Sequence, residues 1–223
     1  MPEKPKVVLD ACVLVPQGLC DLLLRLAEEP SLYQPIISDQ VLEECRRTLT
    51  MKLPRKWPVN LADKWVAEIR RSFPIGDHRD EIQNSRALLN HPKDRHVLAT
   101  AISSEAKLIA TFNLKDFSKP ALDPWGVKAI HPEELLHLLL HLDHGAFEDK
   151  IHAMSLTRST SHALRAVKKY SPRIATELDI DDAVEESADA FAYSYQKQSA
   201  NRTAQLAEAS NRHPLSASTL ALG

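Results

Sequence analysis

Four short apolar runs, three of them followed by a helix-start signal, constrain the fold of this chain more than any other feature. The runs are KVVLD ending at Asp10, PII starting at Pro35, LIAT ending at Thr111 and VKAI ending at Ile130. Helix-period stripes separate them. Pro16 opens a helix that turns Leu19, Leu22, Leu23 and Leu26 to one face. Ser38 is a good N-cap, with Asp39 well placed against the dipole, for a helix running to about residue 52. Asn60 caps a candidate helix over 61–73, and 80–89 reads as a further one. Pro92 begins a helix through 105 with Val97, Leu98, Ala101 and Ile102 inward, and Pro132 begins one to about 142. Short apolar strands alternating with helices predict an α/β, three-layer fold, a central and mostly parallel sheet flanked by helices, over residues 1–143. From Gly145 the strand signal stops, and helices over 146–170 and 174–196 are expected as a C-terminal extension, 144–198. Residues 199–223 lack an apolar period and read as a mobile tail.

Composition excludes several functions. The five glycines stand at 18, 76, 126, 145 and 223, too far apart for a G-x-G-x-x-G turn or a G-x-x-x-x-G-K loop, so glycine-built phosphate cradles are ruled out. A net charge of -2 gives no overall pull toward nucleic acid or membrane, leaving that to local clusters. Cys12, Cys20 and Cys45 have no C-x-x-C spacing and lie in apolar runs, as reduced thiols of a cytoplasmic protein do. The start of the chain reaches Asp10 after three apolar residues, unlike a signal peptide. The longest apolar stretch, 135–142, is broken by His137 and His141 and falls well short of the roughly 20 residues that cross a bilayer. The expectation is a cytoplasmic protein without membrane contact.

Ligands of an open parallel sheet bind beyond the carboxyl ends of its strands. Two predicted strand ends carry polar groups there: Asp10, and Thr111 with Asn113. On the helix after Ser38, the inward stripe of Val41, Leu42, Cys45 and Leu49 leaves Glu44 on its border and Glu43 toward solvent, so Glu44 can reach the crevice. Asp94 lies in the first turn of the helix opened by Pro92.

With these residues in place, the segments VVLDACVLV, SDQVLEECRRTL, HPKDRHVLATAI and LIATFNLKDF make the chain resemble the PIN-domain nucleases, in particular the VapC-type ribonuclease toxins of toxin–antitoxin modules. The resemblance covers about residues 5–140, with the four motifs in the family's order. It implies that Asp10, Glu44 and Asp94 hold a divalent metal, Mg2+ or Mn2+, completed by a group from the segment of Thr111, Asn113 and Asp116, with Thr111 in support. Many family members carry an aspartate two residues after the threonine, where this chain has Asn113, so the last ligand is either Asp116 or the Asn113 amide. The resemblance further implies an endoribonuclease toxin acting on RNA, a cognate antitoxin that inserts a segment into the groove, and homodimerisation as a common state.

The chemistry agrees with that implication on independent grounds. Phosphodiester hydrolysis needs a poised water and relief of charge on the phosphate oxygens, and a divalent ion held by a few carboxylates supplies both. Clustered carboxylates repel, so at least one should have a raised pKa. Between 46 and 71 eight cations (Arg46, Arg47, Lys52, Arg55, Lys56, Lys64, Arg70, Arg71) face two acids, with Trp57 and Trp65 interleaved, a pattern suited to RNA. Arg46, Arg47, Arg55 and Lys56 are the candidate RNA-binding residues. A basic block, 158–173, precedes an acidic one, 177–189, in the extension. His137, His141 and His144 recur at helical spacing. Two other readings compete: an aspartyl phosphatase, against which Cys12 stands where a second aspartate is needed, and a non-catalytic RNA-binding or scaffold protein, which Asn113 favours.

Overall fold

A computed structural model describes residues 4–76, 88–155, 161–178 and 180, all within one compact unit that spans Met1–Val184. Its centre is a five-stranded sheet: β1 Lys6–Leu9, β2 Gln34–Ser38, β3 Ile75–Gly76, β4 Leu108–Ala110 and β5 Lys128–Ile130. The order is β3-β2-β1-β4-β5 and every pairing is parallel. β1 is the middle strand, with Val7 opposite Pro35 on one side and Leu108 on the other. Its consecutive residues Val7, Val8 and Leu9 are all fully buried, which is what a strand covered on both faces requires.

Ten helices accompany the sheet among the described residues: α1 Ala11–Leu14, α2 Gln17–Ala27, α3 Asp39–Arg47, α4 Val59–Ser72, α5 Arg95–Ser103, α6 Lys119–Leu122, α7 Pro132–Leu142, α8 His144–Ser155, α9 Ser161–Tyr170 and α10 Pro172–Glu177. Ser38 caps α3 as expected, its hydroxyl accepting from the Val41 amide. The helix predicted to reach residue 52 ends as α at Arg47 and continues as a π turn, Thr48–Lys52. α4 begins at Val59 with Pro58 as its N-cap, ahead of the expected Asn60. The helix expected over 80–89 falls mostly on 77–87, outside the described residues. α5 starts one 3-10 turn after Pro92 and ends in a pair of C-cap bonds, Glu105 N–H to Ile102 O and Ala106 N–H to Ala101 O, with Glu105 in the left-handed region at φ 59°.

Beyond 143, the described helices pack against α2 and α7. Phe147, Ile151 and Met154 of α8 and Leu164, Ala166 and Val167 of α9 are buried, and α9 lies along α2. Lys150 Nζ donates to Arg25 O (3.1 Å) and Glu28 O (2.8 Å), capping the C-terminal end of α2. Of the expected helix over 174–196 only its beginning, in α10, is described, and the tail at 199–223 lies outside the described residues.

Candidate active site

In the order β3-β2-β1-β4-β5 the connections run outward from β1 to one edge and then return to the other, so the strand order reverses between β1 and β4. A crevice opens at such a reversal, beyond the strands' carboxyl ends. Asp10 follows β1 and Thr111 follows β4, and the ladder continues through them: Asp10 N–H donates to Ala110 O (3.1 Å) and Thr111 N–H to Ile130 O (3.0 Å). Both side chains are buried.

Asp10 is also the N-cap residue of α1, but its carboxylate makes no capping bond. It is held instead by one donor that follows β4 and one on α1. Thr111 Oγ1 donates to Asp10 Oδ2 at 2.6 Å, and the Cys12 thiol donates to the same oxygen at 3.1 Å. The Phe112 amide donates to Cys12 Sγ (3.2 Å) and the Asn113 amide to Thr111 Oγ1 (3.0 Å). Burial, with the Asp10 charge adding to it, pushes the Cys12 thiol up to about 12, so at neutral pH it keeps its proton and remains a donor.

The other acidic residues surround this pair. Glu44 is half-buried on the crevice side of α3, while Glu43 is exposed and tied to Arg46 by two hydrogen bonds of 2.7 and 2.9 Å. The helical phase that separated them in the sequence is therefore the phase observed. Burial first, then the charges of Asp10 and Asp94, raise the Glu44 carboxyl to about 7. Asp94 closes the 3-10 turn Pro92–Asp94, and its pKa is raised by burial and by Asp10 and Asp116. Asp116 ends a second 3-10 turn, Leu114–Asp116, fastened to the first by His91 N–H to Asp116 O at 3.2 Å. Asn113 is exposed at the start of that turn. His96 is buried between the two acidic elements: its Nδ1–H donates to Lys93 O (2.9 Å), and its Nε2 stands 3.7 Å from Glu44 Oε1.

Asp10, Glu44, Asp94 and Asp116 thus interact as charges across one crevice. All are hard oxygen donors, the chemistry Mg2+ and Mn2+ prefer, and the raised pKa of Glu44 and Asp94, due to burial and then to neighbouring carboxylates, is a strain that a cation relieves. Among the described residues, however, no three His, Cys, Asp or Glu side chains stand close enough to form a ready-made metal cage. The set fits an ion that keeps several waters between itself and its carboxylates, as Mg2+ does.

The candidate RNA-binding cations separate by pairing. Arg46 is engaged by Glu43 and lies 3.7 Å from Asp63, and Arg70 is bonded to Asp39 at 2.8 Å. Arg47, Arg55 and Lys56 are exposed, and Arg47 and Lys52 are the cations whose charges act on Glu44. Trp65 is buried and packs edge-on against half-buried Trp57, with ring centroids 6.5 Å apart, so it belongs to the core. His137 bonds the Ser171 hydroxyl at 3.1 Å, and His144 faces Glu148 and Glu177, at 3.8 and 3.4 Å, which gives both structural partners.

Cys12 is the site residue that sequence reasoning missed. Its position two residues after a strand-end aspartate was a usable signal, because the first turn of a following helix folds back over that strand end.

No protein-family model matches the chain, and no solved structure matches it significantly. Over 50 residues, 22% of the chain, it is 52% identical to a Mycobacterium tuberculosis protein named "Putative ribonuclease VapC50". That stretch spans 30% of the relative's own length. Among the described residues no helix is long and apolar enough to cross a membrane. Over the matched stretch, and on an α/β fold consistent with a PIN-like one, this chain is related to a VapC-type protein.

Proposed function

We propose that this chain is a Mg2+- or Mn2+-dependent endoribonuclease that hydrolyses RNA phosphodiester bonds, and that it is the toxin of a toxin–antitoxin pair working in the cytoplasm. The observation that carries this reading is the convergence of Asp10, Glu44, Asp94 and Asp116 on the crevice between β1 and β4, where burial and the neighbouring carboxylates raise the pKa of Glu44 and Asp94. The partial likeness to a VapC-named relative supports the same reading. In it, Asp10, Glu44 and Asp94 hold the metal, directly or through its waters. Asp116 completes the set in preference to Asn113, because its charge is the one felt by Asp94. An ion held by these carboxylates would activate a water and offset charge on the phosphate oxygens. Thr111 fixes Asp10 by donating to its Oδ2. Arg47, Arg55 and Lys56 contact RNA phosphates outside it, and Arg46 contributes less while Glu43 engages it. The antitoxin is a protein that fills the same crevice.

The test is RNA cleavage with Mg2+ or Mn2+, with and without EDTA, by wild type and Asp10→Asn. The variant is expected to lose at least the roughly 10²–10³-fold that removal of one charge-stabilising group costs. Cleavage by Asp10→Asn at the wild-type rate overturns the assignment. The absence of a ready-made cage among the described residues favours the second reading, a non-catalytic RNA-binding protein, which predicts RNA binding without cleavage in any divalent ion.

A further inference from the structure

The hydrogen bonds around Asp10 run in one direction. Two successive amides, Phe112 and Asn113, donate to Cys12 Sγ and Thr111 Oγ1. Each of those atoms passes its own proton to a single acceptor, Asp10 Oδ2. Sγ and Oγ1 are themselves 3.4 Å apart, so the two donors form a closed pair against one oxygen. Oδ1 accepts no hydrogen bond among the described residues. The carboxylate is thereby divided into a structural oxygen and a functional one. A carboxylate at an N-cap ordinarily turns to the helix amides. Asp10 does not, and Cys12, on α1 itself, is one of the two groups that hold it away.

We propose that Cys12 is a positioning residue for this site: its thiol, oriented by the Phe112 amide, fixes Asp10 Oδ2 inward and leaves Oδ1 as the oxygen offered to a divalent cation. This rests on the reading of the carboxylate site given above, and extends it to a residue that touches neither ion nor substrate. Thr111 alone leaves the carboxylate one donor and free to rotate toward α1. With Cys12 two adjacent donors, one following β1 and one following β4, converge on Oδ2. The same thiol ties α1 to the residue after β4, because it accepts from Phe112, so the separation of Asp10 from the 111–116 segment also depends on it.

Outer hydrogen-bond partners of metal ligands are worth about 10–100-fold in metal affinity. Mn2+ binding to the full chain, measured by titration calorimetry and by the electron paramagnetic resonance of free Mn2+, is therefore expected to weaken about 10-fold or more in Cys12→Ala. Cys12→Ser keeps both a donor and an acceptor and should restore affinity to within about threefold. A purely packing role predicts no such recovery, since the polar serine fills the site no better than alanine. Hydrogen exchange of the Phe112 amide gives a readout independent of any ion: protection falls in Cys12→Ala and returns in Cys12→Ser. Equal Mn2+ affinity in a folded Cys12→Ala and wild type overturns the role of Cys12 and leaves the carboxylate site standing. A wild type that binds no Mn2+, while Asp10→Ala is equally inert, overturns both.

Discussion

Glu44 carries a carboxyl raised to about 7 by burial and by Asp10 and Asp94, so the folded chain holds its proton more tightly than the unfolded chain does. The sign of the linkage follows: the stability from this proton is complete below the ordinary value near 4.5 and is lost as pH rises through about 7. Asp94, raised for the same reasons, adds to the trend in the same direction. In EDTA, the urea midpoint is expected to fall between about pH 5 and pH 8, and Glu44→Gln should flatten that fall. Mn2+ added at the higher pH should restore much of the lost stability in wild type and less in the variant. A midpoint that rises with pH over this window would contradict the placement of Glu44 among like charges. Glu43, one residue earlier, serves as the internal control: Arg46 holds its carboxyl below the usual range, so Glu43→Gln should leave the pH trend in place.

At the scale of elements, one cation of α8, Lys150, joins it to the end of α2, beside the buried Phe147, Ile151 and Met154. Lys150 donates to two carbonyls at the C-terminal end of α2, Arg25 O and Glu28 O, and burial lowers the pKa of its ammonium. Lys150→Met keeps the stem and removes both bonds, and is expected to cost about 1–3 kcal/mol, read as a lower urea midpoint with an unchanged slope. This docking was not legible in the sequence. Leu164 and Val167 give α9 an apolar stripe, but a stripe says that a partner exists without saying which, and α2 proved to be the partner. β1, β2, β4 and β5 were legible because continuous apolar runs mark strands buried on both faces. β3 was not, having two residues and no run. A Cβ on its Gly76 would stand 2.6 Å from Ile36 Cγ2 and 2.8 Å from Thr100 Cγ2, so the residue that permits the close approach also erases the strand signal. Asp10 and Glu44 could be read from strand ends and helical phase. The choice between Asn113 and Asp116 could not, because a 3-10 turn between them decides which one neighbours Asp94. Cys12 was marked by its place two residues after Asp10 but passed over, since a thiol in an apolar run looks like core.

For the molecule as a whole, a net charge of -2 conceals a division of labour: acids line the crevice while Arg47 and Lys52 stand beside it. If RNA crosses that border, replacing both with alanine should weaken binding across sequences and lower the salt slope by about 2, one unit for each phosphate left without its cation. An unchanged slope measured by fluorescence anisotropy would place the RNA elsewhere. Thr111 and Asp10, whose side chains meet at 2.6 Å, are 101 residues apart in the chain. During synthesis the ribosome therefore delivers Asp10 long before anything can hold it, and the β1–β4 pairing that forms the crevice waits until nearly half the chain is out. Pairings of such long sequence separation form late. A ribosome that stalls before β4 releases a fragment with the first acid and no site, so the reaction proposed here starts only when the second half of the sheet has been made.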